Sequence, residues 1–388
     1  MKLFGYPAIG WSLIAAVVGT FVCRTIASSQ SHTPDISAAV SMAIRGPVQP
    51  VLAHGKFVVA YELDIFNRTS TELPILSLEG FGPGGSILLR YSKTELEQNG
   101  RQFTPRAGNL QLPLMPHGRA VIFCWFETPS NQQPPKMLQH RLTYGAGLNT
   151  SQTVELASSV FNPAQLSLGA PAEPGEWFVA LGPSNRSEHR TAQIRIDGNP
   201  DAPFSQRYAI DWVRICSGKL WQNKGKENTD YCGYGSNVLA VADSTVAAVR
   251  DDILENKPGE GSRSVRMTKD TIMGNYVVLD LGEQRFALYA HLQPNSVQVK
   301  TGATVRRGEI LGRIGNSGNS DAPHLHFHVG QAGLLTDIVT GQTNPIPYVL
   351  EKFEWRGKHT GKGPVPDSQR EVRSSEMPLD HDIVTFMP

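Results

Sequence analysis

Histidines alternate with apolar residues in one run in the C-terminal half of the chain. The run contains His324, His326 and His328, and Leu325 and Phe327 stand between them. Because alternate side chains of a strand point to the same face, the three imidazoles are expected to project together while the apolar side chains enter a core. Neutral imidazole is the commonest protein metal ligand and a general base near neutral pH. The spacing therefore indicates a metal or catalytic site.

A fourth histidine, His291, lies upstream in the sequence Tyr-Ala-His-Leu. The segment between it and the histidine run is punctuated by glycines. Two less specific interpretations are a hydrogen-bonded core histidine and a histidine-rich surface tract. The regular spacing and the apolar neighbours favour a metal or catalytic site over both.

The composition limits the class of protein. With 388 residues, the chain is long enough for two domains of roughly 150 residues each. The formal net charge of +1 offers no electrostatic basis for binding nucleic acid, so no nucleic-acid partner is expected. Glycine (37) and proline (27) are abundant, and most apolar segments are short. This favours many short strands joined by turns, and we predict an all-β protein.

Residues 1–29 have the features of an export signal. Lys2 precedes an uncharged run that ends at Cys23, and Ala27 and Ser29 supply small residues for cleavage. The run is nearly long enough to span a bilayer, so an uncleaved N-terminal anchor is the alternative. In both cases the chain is predicted to be exported to a periplasm or cell envelope. The anchor would also hold it at the membrane.

The cysteines fit an exported protein. Cys23 falls in the predicted signal, and Cys124 lies in an apolar run and is expected to be a buried thiol. Cys216 and Cys232 flank a polar loop, and in an oxidising compartment they would form a disulfide. Two free thiols are the alternative.

The remaining chain divides into two predicted β domains. Residues 36–168 are predicted to form an antiparallel β-sandwich, because alternating apolar residues from 57 to 65 are followed by further strand-like runs and turn clusters. Residues 169–176 are the predicted linker and residues 177–355 the second domain. A polar tail, 356–388, is predicted to end in one more strand at 382–386. The scattered histidines of the sandwich are interpreted as surface residues: His54, His117 and His140.

The stretch 206–330 resembles the lysostaphin/LytM-type zinc metalloendopeptidases, the glycyl-glycine endopeptidase family with the duplicated hybrid motif. The order and spacing of several short pieces carry the resemblance. They are Ala-Ile-Asp at 209–211, the hairpin-like run 238–246, Tyr-Ala-His-Leu at 289–292, Gly-Glu-Ile-Leu-Gly at 308–312, Gly-Asn-Ser-Gly at 315–318 and Pro-His-Leu-His-Phe at 323–327. The resemblance implies a LytM-like antiparallel β domain with an open groove for residues 177–355.

The resemblance also implies roles for individual residues. Asp211 and His326 match two of the three ligands of a single zinc ion. His291 and His324 match the two histidines that assist the chemistry. A zinc ion with three protein ligands keeps a position for water, lowers the pKa of that water and polarises the scissile carbonyl. Either assisting histidine would take the proton or stabilise the developing oxyanion.

One position departs from the family pattern. The first zinc ligand is expected four residues before Asp211, where this chain has Arg207. Arginine stays protonated and has no lone pair for a metal. Arg207 and Asp211 are predicted to share one strand face, where they could pair and fill the site without metal. Three outcomes are open: His328 or His189 completes the metal site, two residues bind zinc weakly, or the site is degenerate.

Two functions follow from these alternatives. The first is an exported zinc metalloendopeptidase that hydrolyses peptide bonds in bacterial peptidoglycan, in cross-bridges or stem peptides. The second is a catalytically degenerate LytM-like module that binds the cell wall or regulates other wall hydrolases. Both have peptidoglycan or its peptides as the expected partner.

Overall fold

The protein is described by a computed structural model that covers residues 39–103, 108–147, 150–190, 204–259, 261–359 and 370–388. The predicted export signal or anchor, residues 1–29, lies outside the described residues. Among the helices of the described residues, none is long and apolar enough to cross a membrane.

Two antiparallel sheets form the N-terminal part. One has the strand order β1-β2-β7-β5-β6 and the other β4-β3-β8-β9. The elements are β1 (Val40–Ala53), β2 (Lys56–Asn67), β3 (Ile75–Phe81), a 3₁₀ turn (Pro83–Gly85), β4 (Ile87–Ser92), α1 (Lys93–Asn99), β5 (Gly100–Gln102), β6 (Gly108–Asn109), β7 (Arg119–Pro129), β8 (Met137–Gly147) and β9 (Thr150–Ser159).

A long mixed sheet dominates the C-terminal part. Its strand order is β10-β21-β23-β11-β12-β19-β16-β15-β14-β17, with β20 paired to β19 and β22 to β21; β13 and β18 form a separate pair. The elements are β10 (Leu166–Leu168), β11 (Gly175–Leu181), β12 (Ile210–Ile215), a 3₁₀ turn (Asn228–Asp230), β13 (Asn237–Leu239), β14 (Ser244–Arg250), β15 (Asn275–Asp280), β16 (Arg285–Leu292), β17 (Thr304–Val305), β18 (Ile310–Arg313), β19 (Leu325–Gln331), α2 (Leu335–Thr340), β20 (Asn344–Pro345), β21 (Tyr348–Lys358), β22 (Glu371–Glu376) and β23 (Asp382–Phe386). The all-β prediction is confirmed.

One face of β2 lies in the core between the two N-terminal sheets. Val59, Tyr61, Leu63 and Ile65 are buried there. They pack against side chains of the facing sheet such as Leu78. The alternation seen in the sequence therefore corresponds to a two-sheet core.

The opposite face of β2 packs against the C-terminal part. Val58 and Ala60 belong to the same buried cluster as Trp177 and Phe327. Glu62 follows on this face and is completely buried. The described residues accordingly belong to one compact unit. The domain bounds 36–168, 169–176 and 177–355 stay a prediction, but the sandwich shares a core with the sheet that follows it.

The segment predicted as a polar tail contributes strands. β23 pairs with β11 and β21, and β22 pairs with β21. The expected strand at 382–386 is therefore present. Its buried Asp382 accepts hydrogen bonds from the Trp355 indole at 3.0 Å and from the His54 ring at 2.7 Å.

Two of the sandwich histidines have partners that the sequence pattern did not predict. His140 is fully buried, and its Nε2 lies 2.7 Å from the Tyr61 hydroxyl. His54 contacts Asp382 across 328 residues of sequence. The surface interpretation was wrong for His140, because a partner this distant in sequence is invisible in a local pattern, whereas His54 is half-buried. His117 is exposed as predicted.

Candidate metal centre and catalytic histidines

Strand register places Asp211 beside His326. The two residues are direct partners in the antiparallel pair β12 and β19, and His326 also faces Ala290 of β16. Directly opposed residues have their side chains on the same face of a sheet. Leu325 and Phe327 point the other way, into the buried core. The alternation expected from the sequence is thus present in β19.

A third potential ligand arrives from a distant segment. His189 lies on a helical turn at 188–190, and its Nε2 is 3.2 Å from Asp211 Oδ2. His326 Nδ1 is 2.8 Å from Asp211 Oδ1. One ligand atom from each of the three residues lies within 4.8 Å of the other two, and all three residues are buried.

The chemistry of these donors fits zinc. Two imidazole nitrogens and one carboxylate oxygen are a three-ligand set of the kind catalytic zinc sites use, with one position left open. His189, Asp211 and His326 would hold the ion.

Burial and neighbouring charges set the ionisation of the site. Burial alone would raise the pKa of Asp211, but the facing His189 and His324 hold it well below its usual range. Burial lowers the pKa of His326 even though Asp211 opposes this effect. For His189, Asp211 outweighs burial and raises the pKa. The carboxylate is therefore ionised, as a metal ligand must be.

His291 and His324 lie beside this set with their rings 4.9 Å apart. His291 Nδ1 is 2.8 Å from the Ser317 carbonyl oxygen, and His324 Nδ1 is 2.8 Å from the Ala322 carbonyl oxygen. Because a carbonyl oxygen only accepts hydrogen bonds, each Nδ1 carries the proton. In the neutral form of either ring the lone pair is therefore on Nε2, and His324 Nε2 is 3.6 Å from Asp211 Oδ1.

The backbone and burial of His291 are unusual. Its φ of 65° lies in the left-handed region, which non-glycine residues adopt rarely and mostly at constrained, often functional, positions. Burial, together with the nearby His324 and His326, lowers its pKa well below the usual range. The ring is therefore neutral and can accept a proton.

Arg207 does not pair with Asp211, so the pairing that could have filled the site without metal is absent. β12 begins only at Ile210, so Arg207 is not on the same strand face as Asp211. Its guanidinium binds Glu62 of β2 instead. The position expected to hold the first zinc ligand thus belongs to an ion pair outside the site.

His328 contacts the far side of His326. His328 Nδ1 is 2.9 Å from His326 Nε2, the nitrogen that faces away from Asp211. Of the two candidates for a third ligand, the structure therefore places His189, and not His328, against Asp211.

An open groove of about 480 Å³ runs past these side chains. Its rim includes Trp221 and Tyr231, whose rings are 6.0 Å apart. Both belong to the loop closed by a disulfide between Cys216 and Cys232, the pair expected from the sequence. Cys124 is free and buried.

The family model for peptidase family M23 matches residues 229–338. This segment is a peptidase family M23 domain. The M23 match contains His291, His324 and His326. Asp211 and His189 lie upstream of the match, and the fold brings them to the same site as His326.

Curated relatives of the chain include a peptidoglycan endopeptidase and a metalloprotease by name. The chain is 39% identical over 70 residues to peptidoglycan DD-endopeptidase ShyA of Vibrio cholerae, covering 18% of this chain and 16% of that protein. It is 43% identical over 58 residues to an uncharacterized metalloprotease of Haemophilus influenzae, covering 14% and 12%. The chain thus matches well under two thirds of either relative. Among solved structures, a zinc-containing peptidase from Vibrio cholerae is similar at 13% identity and a TM-score of 0.23, covering 70% of this chain and 77% of that one.

Glu62 was not among the functional residues predicted from the sequence. It stands in the run Val-Ala-Tyr-Glu-Leu, a strand that is apolar on both sides of the carboxylate. A charge within such a run signals a buried ion pair, because buried carboxylates need partners. The sequence does not identify those partners.

Proposed function

We propose that the chain is an exported zinc metalloendopeptidase that hydrolyses peptide bonds in bacterial peptidoglycan, in cross-bridges or stem peptides. The observation that carries the proposal is the convergence of His189 Nε2 and His326 Nδ1 on the two oxygens of Asp211. The M23 segment and its peptidoglycan endopeptidase relative support the substrate class.

The zinc ion, held by His189, Asp211 and His326, would activate water and polarise the scissile carbonyl. The residues of the chain have separate tasks around it. In their neutral form, His291 and His324 present Nε2 lone pairs to the groove because their Nδ1 protons are fixed on backbone carbonyls. Either can accept a proton at Nε2 and then donate it to the leaving amine nitrogen. In its protonated form, the same ring can donate to a developing oxyanion.

The setting supports an extracytoplasmic peptide substrate. The groove is open along the site and lined by both aromatic and polar side chains. The disulfide of the groove loop fits an oxidising compartment such as the periplasm or cell envelope. Export through the N-terminal segment remains part of this proposal.

A degenerate binding or regulatory module is the weaker alternative. It depended on Arg207 filling the site by pairing with Asp211. Arg207 lies on Glu62 instead, and His189 stands where a third ligand is needed.

Zinc titration of the full chain tests the proposal. The wild type is expected to bind one zinc ion, and His189→Ala to weaken binding by more than about a hundredfold, since a lost ligand should exceed the loss of an outer-shell partner. His328→Ala should cost about tenfold, because it removes only the contact to His326 Nε2. His117→Ala, at an exposed histidine, is the control. Equal zinc affinity in wild type and His189→Ala would contradict the proposed site.

Peptidoglycan turnover is the second measurement. Zinc-loaded wild type should release peptide-cleaved fragments from purified peptidoglycan, and chelation should stop the release. His291→Ala and His324→Ala should retain zinc and lose turnover. A zinc-loaded wild type that binds peptidoglycan without cleaving it would support the binding module instead.

A further inference from the structure

A buried ion-pair cluster joins the sandwich to both segments that carry upstream ligands. Glu62 of β2 is completely buried. Arg190 donates from Nε and Nη2 to Glu62 Oε1 at 3.0 and 2.6 Å. Arg207 donates from Nε to both Glu62 oxygens at 3.1 Å and from Nη2 to Oε2. One sandwich carboxylate thus holds two guanidinium groups.

The cluster is tied further into the sandwich on the Arg190 side. Arg190 Nη2 also donates to the Tyr61 carbonyl at 2.8 Å, and its guanidinium lies 5.0 Å from the Phe123 ring of β7. Arg190 also contacts Asn185, which donates to the Phe123 carbonyl at 3.0 Å. Asn185, four residues before His189, and Arg190, directly after it, are therefore both held by the sandwich.

The two arginines are close in sequence to two candidate ligands. Arg190 directly follows His189, and Arg207 precedes Asp211 by four residues. Asp211 is also held by strand pairing in β12. His189 lies outside the sheets, so its position depends on the contacts of its own segment.

We propose that Glu62 of the sandwich is a positioning residue for the metal centre and fixes His189 against Asp211 through Arg190. The inference rests on the proposed function, because it takes His189 as a zinc ligand. The sandwich then supplies part of the metal-site architecture, and the M23 segment alone does not contain it.

The opposite charges of Glu62 and the two arginines explain why the contact between Glu62 and Arg190 is rigid. Burial would raise the pKa of Glu62, but Arg207 and Arg190 outweigh it and lower the pKa, so the carboxylate is ionised. Removing this charge would leave two buried guanidinium groups without a counter-ion, and such groups move toward water. Arg190 would carry the adjoining His189 with it.

A double-mutant cycle on zinc affinity separates positioning from general support of the fold. Glu62→Gln is expected to weaken zinc binding at least about tenfold, as losing a group that orients a ligand does. In a His189→Ala background, Glu62→Gln should change zinc affinity less than about twofold, because no ligand remains for it to position. Equal effects in both backgrounds would show a merely structural role and overturn the inference.

Glu127→Gln is the matched control. Glu127 lies on neighbouring β7 and pairs with Lys56 at the exposed end of the sandwich, at 2.8 Å. The same substitution there should leave zinc affinity unchanged. A loss equal to that of Glu62→Gln would assign the effect to the sandwich in general and contradict a specific role.

Arg190→Met covers the case in which Glu62→Gln does not fold. It leaves Glu62 paired with Arg207 and keeps an apolar stem, so no buried charge loses its partner. We expect it to weaken zinc binding by about tenfold, whereas Arg207→Met should stay within about threefold because strand pairing holds Asp211. Equal and wild-type affinity in both variants would overturn the inference.

The results distinguish this inference from the proposed function. If wild type binds no zinc, or if His189→Ala binds zinc as wild type does, the proposed function fails. If zinc binding requires His189 but is indifferent to Glu62→Gln and Arg190→Met, only the positioning role fails. Hydrogen exchange of the peptide 182–190 gives a readout without metal, and it should accelerate in Arg190→Met.

Discussion

At the scale of single residues, the site depends on which ring nitrogen each histidine presents. Backbone carbonyls fix the tautomers of His291 and His324. His326 has its two nitrogens divided between Asp211 and His328. Partners that hold the outer nitrogen of a ligating histidine fix its orientation and tautomer. Four imidazoles close together can therefore have distinct roles without differing in residue type.

His140 leads to a prediction about pH that is independent of the metal site. Burial lowers its pKa to about 4. The unfolded chain takes up this proton near pH 6.5 and the folded chain only near pH 4, so stability falls as pH drops through this window. The expected loss from this residue is about 2 kcal/mol at pH 5 relative to pH 8.

Urea unfolding between pH 8 and pH 4 measures this loss. Wild type should lose stability over the window more steeply than His140→Gln, with about 2 kcal/mol between their changes at pH 5. His117→Gln, at an exposed position, should follow wild type. Parallel curves for wild type and His140→Gln would show that His140 does not titrate as described.

The site residues differ in how far the sequence can predict them. His326 and His328 alternate within β19 and His324 directly precedes it, so the local period of two was enough to predict the three together. Asp211 followed from the family resemblance. His189 could only be named as one candidate, because the segment between it and Arg207 has no period that fixes its path. The pairing of Arg207 with Glu62 spans 145 residues and could not be read from spacing.

At the scale of elements, the sequence pattern of β2 predicts the environment of only one of its two faces. Its period-two alternation predicted one buried face correctly. The other face carries Val58, Ala60 and Glu62, and the sequence does not show whether such residues meet solvent, another sheet or a second domain. An antiparallel strand with one solvated face usually alternates apolar and polar residues. The apolar residues on both faces of β2 indicate burial on both sides.

The disulfide loop 216–232 is an element with a testable role. It carries Trp221 and Tyr231 at the groove but none of the three candidate ligands. Replacing both cysteines by serine should lower the free energy of unfolding by about 3 kcal/mol, as expected for a loop of about 15 residues. Zinc affinity should stay unchanged, while KM for peptide substrates should rise.

Denaturant unfolding with and without reductant measures the contribution of the disulfide to the free energy of unfolding. Reductant should destabilise wild type by about the same amount as the double substitution and should not affect the variant. A loss of zinc affinity in the variant would instead show that the loop supports the metal centre.

At the scale of the whole molecule, the sandwich and the C-terminal part share a buried apolar core and a buried ion-pair cluster. The sandwich provides Val58 and Ala60 to the core of the C-terminal sheet, and Glu62 to the segments that carry His189 and Asp211. Asp382 of the C-terminal strand β23 is hydrogen-bonded to His54 of the sandwich. The linker predicted from composition at 169–176 therefore divides the sequence into two parts, but these two parts bury surface against each other.

This arrangement predicts that the sandwich and the M23 part unfold together. Calorimetry should show one transition, because opening either part exposes the apolar face of β2 and the buried Glu62 cluster. Zinc at about a hundred times its Kd should stabilise the folded state by about 2.7 kcal/mol. Since unfolding is shared, zinc should slow hydrogen exchange in β8 and β9, which carry none of the candidate metal ligands, as much as in β19. Two separate calorimetric transitions, with zinc shifting only one, would show that the sandwich is an independent domain whose contacts with the metal centre are too weak to couple them.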